Sequence, residues 1–118
     1  MTTDLLLSLD SSIRYVALYR NGELQTRVRE NLCNASDSSS DKFEELVVNP
    51  AILTLTTQRG NIDCGGCQYV TVRYGNFTQL LIPISGGHVS IAIELNVDAA
   101  SLFPKIHKML FEESTQGE

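Results

Sequence analysis

No run of lysine and arginine occurs anywhere in this 118-residue chain, and its 14 acidic side chains outnumber the 9 basic ones, for a net charge of −5. Nucleic acid and anionic membrane surfaces both need clustered cations, so this balance argues against either as a partner. No apolar stretch approaches the ~20 residues that span a bilayer, which excludes membrane insertion by a helix. The opening MTTDLLLSLD carries an acid where a signal peptide needs positive charge, and its apolar run is short, so a cytoplasmic location is expected. Cysteine is scarce, and an odd count of 3 does not suggest a secreted disulfide framework. Tryptophan is absent and no internal repeat is present. The stretch GNIDCGGC lacks the Lys-Ser/Thr that grips phosphate and magnesium. Ser85-Gly86-Gly87-His88 superficially resembles a hydrolase loop, but no nucleophile elbow accompanies it. With no acid–base pair or activated nucleophile in view, the expectation is a protein that is not an enzyme and needs no cofactor.

What is present is an ordinary globular composition, 42% hydrophobic and 19% charged, enough for a modest core without metal or disulfide help. One domain over residues 1–118 is predicted, with its core at about 4–112 and a frayed tail at 113–118.

The most informative stretch is Asp41 to Gly60. Phe43, Leu46, Val47, Pro50, Leu53 and Thr57 recur at three- and four-residue steps, which places them on one face of a helix. Ile52 and Leu55 lie off that face, so the helix is apolar over more than one stripe and is expected to be buried on two sides. Either a second copy of the chain or a large sheet and a loop covers the second side. Pro50 removes a backbone donor inside the run, which predicts a kink, or two abutting helices with Asn49 capping the second. Gly60 after Arg59 reads as the stop. Ser39 or Ser40 reads as the cap at the start of the segment, after a polar loop at 31–40.

Around this segment the pattern is one of strands. Asp4 to Asp10 forms a short first helix. Ile13 to Arg20 and Glu23 to Arg29 form a hairpin about Asn21-Gly22, a pair that readily takes positive φ at both positions. After the central helix come Gln68 to Tyr74, Phe77 to Ile84 and His88 to Leu95, separated by Gly-containing turns. Pro83 marks an edge or a bulge. A last helix runs from Asp98 or Ser101 to about Glu112, with Pro104 tolerated near its first turn. This order predicts an α+β fold, a single five-stranded antiparallel sheet flanked by three helices, with the first strand beside the fifth.

Two constellations bear on chemistry. Cys64 and Cys67 are spaced to ligate zinc or to exchange as a disulfide. A structural zinc site needs four ligands, and Cys33, His88 and His107 complete no known spacing. A redox pair normally opens a helix, whereas this pair opens a strand with two glycines between, which favours a turn. The alternative is a small-molecule or metal-binding sensor using the Cys64/Cys67 turn and His88. His88 follows directly on Gly86-Gly87; Asp63 is the carboxylate that can approach it, and a histidine bonded to backbone is the simpler reading. His107, between Lys105 and Lys108, reads as surface.

Element by element, and most closely over YVTVRYGNFTQLLIPISGGHVSIAIEL, the chain resembles the Roadblock family, the dynein light chain Roadblock-like domains, whose sheets are similar to those of profilin-like folds. The resemblance implies strand order 2-1-5-4-3. It implies a homodimer in which the middle helices pair through Phe43, Leu46, Val47, Pro50, Leu53 and Thr57. It further implies that the third strands meet, bringing Tyr69, Thr71 and Arg73 to the seam. Family members bind or regulate small Ras-like GTPases or act as signalling adaptors, so the resemblance implies a non-enzymatic interaction module. Pro50 and the CGGC segment depart from the family pattern.

Overall fold

The computed structural model describes residues 2–32, 35 and 37–116, the last five by backbone alone. Helix α1 (Thr2–Leu7) leads into the hairpin β1 (Ile13–Arg20) and β2 (Glu23–Val28). A long middle helix follows in three parts: α2 (Ser38–Phe43), a π-helical turn (Glu44–Val48) and α3 (Asn49–Asp63). Then come β3 (Val70–Arg73), β4 (Thr78–Ile84), β5 (Gly87–Ile93) and α4 (Ala99–Gln116).

All five strands join one antiparallel sheet in the order β2-β1-β5-β4-β3, as the pattern and the resemblance predict. The first hairpin turns on left-handed Asn21 and Gly22, with φ of 52° and 85°. β1 and β5 meet in the centre with Tyr15 opposite Ala92 and Tyr19 opposite His88. A register shift between Ile13 and Tyr15 turns the first residues of β1 back toward the core. β3 begins with Val70 opposite Leu81, so Pro83 lies beyond the reach of β3, where that side of the ladder asks for no donor.

The two faces of the sheet differ in chemistry. One face carries Val16, Leu18, Leu80, Ile82, Val89, Ile91 and Ile93, which pack with Leu6 of α1 and Leu102 and Ile106 of α4 into the main core. Arg29 locks α1 to this unit: its guanidinium donates to the carbonyls of Ile13 and Leu7, both at 2.6 Å, and of Asp10 at 3.1 Å. The opposite face, under the middle helix, carries only a small apolar cluster of Tyr15, Ala17 and Ala92 beside a group of buried polar side chains.

Several expectations need correction. The middle helix starts earlier than predicted, and Asp37 rather than Ser39 or Ser40 caps it, accepting from the Ser39 backbone N–H at 2.7 Å. Pro50 falls in the first turn of α3, where helical segments abut as expected, but Asn49 is not a cap: it has helical φ and ψ of −65° and −43° and turns its side chain inward. The π-turn just before Pro50 absorbs the proline, because a wider turn moves the carbonyl that its ring would otherwise strike. Gly60 is not a stop, since α3 runs three residues further. A Cβ there would sit 2.7 Å from the Gly66 backbone, so Gly60 is the point where the returning loop crosses the helix. The amides of Cys64 and Gly66 both donate to its carbonyl at 3.0 Å. α4 begins at Ala99 behind Asp98, which places Pro104 in the second turn rather than the first. It continues to Gln116, through positions predicted to fray. Among the described residues no helix is long and apolar enough to cross a membrane.

Candidate functional site

The middle helix has two faces with opposite problems. Its inner face carries polar residues at a buried position, and its outer face carries apolar residues at an exposed one.

Inward, Glu45, Asn49 and Leu53 follow one another at four-residue steps and all are buried; Glu45 is 1% exposed. Below them β5 presents His88 and Ser90, and β4 presents Gln79. The Glu45 carboxylate accepts three hydrogen bonds. The Tyr15 hydroxyl donates at 3.1 Å, the Asn49 amide at 2.9 Å, and the His88 Nε2–H at 2.8 Å. Asn49 also reaches the Ser90 hydroxyl at 3.5 Å, and the Gln79 amide donates to the same oxygen. Burying this charge without such partners would cost several kcal/mol, of order 3–5. Burial, with the charge of Glu45 and the bond to it adding, pushes the Tyr15 hydroxyl far above its ordinary range, so it remains a donor.

Glu45 carries no mark of its own in the sequence, Asn49 is predicted as a cap only if two helices abut, and His88 is predicted to bond to backbone, with Asp63 as the carboxylate that can approach it. Asp63 instead lies at the end of α3, paired with Arg59 at 2.7 Å. The signal that was available is the facing of two polar stripes. Glu45 and Asn49 share a helix face with Leu53, while Gln79, His88 and Ser90 share a sheet face in central strands, where apolar residues are the rule.

Outward, Phe43, Val47, Leu55 and Ile62 are 60%, 52%, 68% and 75% exposed, and Leu46 is exposed as well. The six positions predicted to form one paired face are therefore split. Phe43, Leu46 and Val47 point away from the sheet. Leu53 is buried against it, and Pro50 and Thr57 are half-buried at its margin. The π-turn explains the split. It holds one residue more than an α-turn, so every side chain after Val48 is set back by much of the ~100° that one residue spans. The outer stripe resumes on Ala51, Leu55 and Ile62 instead.

Of the third-strand positions, Thr71 and Arg73 are exposed at the sheet's edge. Tyr69 packs on Phe103 of α4 at 4.5 Å between ring centres and so joins the core of its own chain. Between α2 and the β3–β4 turn lies a groove of about 430 Å³ walled by Phe43, Tyr74 and Phe77. At its rim the Tyr74 hydroxyl donates to Glu44 at 2.6 Å. Burial raises the Glu44 carboxyl above the usual range, opposed by the Tyr74 bond and reinforced by the charges of Glu45 and Asp41. Burial first, then the Glu44 bond and charge, pushes Tyr74 up to about 12.

That shift has a readable sign. A phenol whose folded pKa exceeds the unfolded value of 10.0 favours the folded state below pH 10, and that contribution is lost as pH rises toward 12. An ultraviolet titration is expected to show one tyrosine ionising near pH 12, absent in Tyr74→Phe. Ionisation of Tyr74 near pH 10 in the folded protein would show that the contact to Glu44 is not made.

The cysteine turn is laid out as the Gly-Gly spacing suggests, with Gly65 and Gly66 left-handed at φ of 80° and 91°. Cys64 is exposed, donates to Asp63 at 3.3 Å and accepts from Arg59 at 3.4 Å; Cys67 is half-buried and donates to the Tyr69 carbonyl. Their hydrogen bonds engage neighbours in the chain, while His88 is held by Glu45. Among the described residues no three His, Cys, Asp or Glu side chains are grouped to hold a metal ion. Cys33 lies outside the described residues. His107 is exposed on α4, stacked between Phe103 and Phe111. No protein-family model and no curated protein sequence matches the chain.

Proposed function

We propose that this chain is a non-enzymatic, homodimeric interaction module of the Roadblock kind. In this reading it works in the cytoplasm and binds or regulates a small Ras-like GTPase or serves as a signalling adaptor. The observation that carries the reading is the uncovered apolar surface of the middle helix. Isolated exposed apolar residues are common, but large side chains repeating along one helix face are the mark of an interface. The free edge of β3 supports the same reading, because an unpaired strand edge is a ready site for strand addition by a second copy. The strand order agrees with that of the family the sequence resembles. The GTPase part of the proposal rests on that resemblance. It is tested by presenting the purified protein to immobilised small Ras-like GTPases loaded with GDP or a non-hydrolysable GTP analogue. Saturable binding at micromolar concentration to at least one of them is expected. Absence of binding across the panel in both nucleotide states would remove the GTPase role and leave the dimer to be judged separately.

A further inference from the structure

His88 is 2% exposed and makes one hydrogen bond, from Nε2 to Glu45. Nε2 is committed to a carboxylate that also accepts from Tyr15 and Asn49, which leaves Nδ1 as the ring nitrogen with no partner in the protein. Among the described residues no fully buried side-chain nitrogen or oxygen is left without a partner. Nδ1 therefore opens on accessible space, and the space that His88 lines is a groove of about 390 Å³ between α3 and the β4–β5 turn. Tyr19, Pro50, Leu53 and Pro83 form its apolar walls, and Thr54, Thr57, Gln58 and Asn61 border it along α3. The volume lies within the roughly 300–1,000 Å³ typical of small-molecule sites, and apolar walls with a few placed polar groups are the usual lining.

We propose that this groove binds a small neutral ring compound bearing one N–H or O–H group, with His88 Nδ1 as its acceptor. Three features set the ligand's class. No Asp, Glu, Lys or Arg lines the groove, so a charged ligand would find no opposite charge there. The carboxylate behind His88 repels an anion in particular. The Tyr19 ring and the flat faces of Pro50 and Pro83 suit a planar body.

The histidine is preset for this task. Glu45 holds the ring in place through Nε2, and the Tyr19 ring lies 5.6 Å from it, centre to centre. Gly87 lets β5 start against β1, because any side chain there would overlap the Tyr19 carbonyl oxygen. The groove shares no residue with the outer stripe of Phe43, Val47, Leu55 and Ile62, so this site stands or falls independently of the proposed dimer.

The test is a titration of the full chain with phenol and with indole, followed through the side-chain nitrogen shifts of His88 and the backbone amides of Thr57 and Gly87. Anisole and N-methylindole, which keep the ring and lose the donor, are the controls. A saturable shift centred on His88 is expected for at least one donor probe. Its methylated counterpart should bind at least about tenfold more weakly, because it leaves Nδ1 unpaired. His88→Gln should lose the discrimination. Since that variant also disturbs the Glu45 cluster, Thr57→Trp provides a second arm: it fills the groove from its rim and should abolish binding with the amide spectrum otherwise unchanged. The proposal is overturned if neither donor probe saturates, if probe and methylated control bind alike, or if Thr57→Trp binds as well as the unmodified chain.

Discussion

Glu45→Ala is expected to cost about 3–5 kcal/mol of folding stability, which lowers the melting temperature by roughly 10–20 °C. The size follows from what the substitution strands. Three donors converge on one carboxylate, and removing it leaves the Tyr15 hydroxyl and the His88 Nε2–H buried with nothing to accept them. Asn49 keeps only its longer contact to Ser90. Each buried, unsatisfied donor costs about 1–3 kcal/mol, and a domain of this size has about 5–15 in all. Glu45→Gln preserves one acceptor and the side-chain shape and should recover part of the loss. Thermal unfolding followed by circular dichroism ranks the three proteins. Equal stability of Glu45→Ala and the unmodified chain would mean that the cluster is hydrated or absent in solution.

The second large effect concerns the same helix turned outward. Val47→Glu combined with Leu55→Glu should leave the fold and its melting temperature within about 1 kcal/mol of the unmodified monomer, because both side chains are more than half exposed. The same pair should weaken self-association at least about a hundredfold, since it places two charges on each side of the contact. Leu53→Asp, only two residues from Leu55, should instead unfold the chain, because Leu53 is 6% exposed and a carboxylate there has no partner. The contrast separates a surface role from a core role on one element. Loss of fold in the outward pair would mean that Val47 and Leu55 are covered within a single subunit.

Much of the architecture was written in local pattern. Asn21-Gly22 is a hairpin turn, the alternation in His88 to Leu95 is a strand, and the helical spacing from Asp41 is a helix, each for reasons internal to a few residues. The join of β1 to β5 followed from both being the most apolar terminal strands of their hairpin blocks. The site was less legible because it depends on relations that local pattern does not carry. Glu45 and His88 are 43 positions apart, and each looks like an ordinary solvent-facing residue within its own element. The π-turn is a response to Pro50 that leaves no separate mark in the spacing. By adding a residue to one turn it moved Leu53 from the predicted outer face to the core and brought Leu55 out. Gly60 had the position and composition of a helix stop, and only the path of the returning Gly66 loop reveals it as a packing contact.

The outer stripe of the middle helix is either shared between two copies or left to solvent. Sedimentation equilibrium of the unmodified protein across the low-micromolar range measures this directly. A mass twice the 13.0 kDa of the chain is predicted, falling to a single chain for Val47→Glu with Leu55→Glu. A single-chain mass at every concentration, with both proteins equally folded, would contradict it.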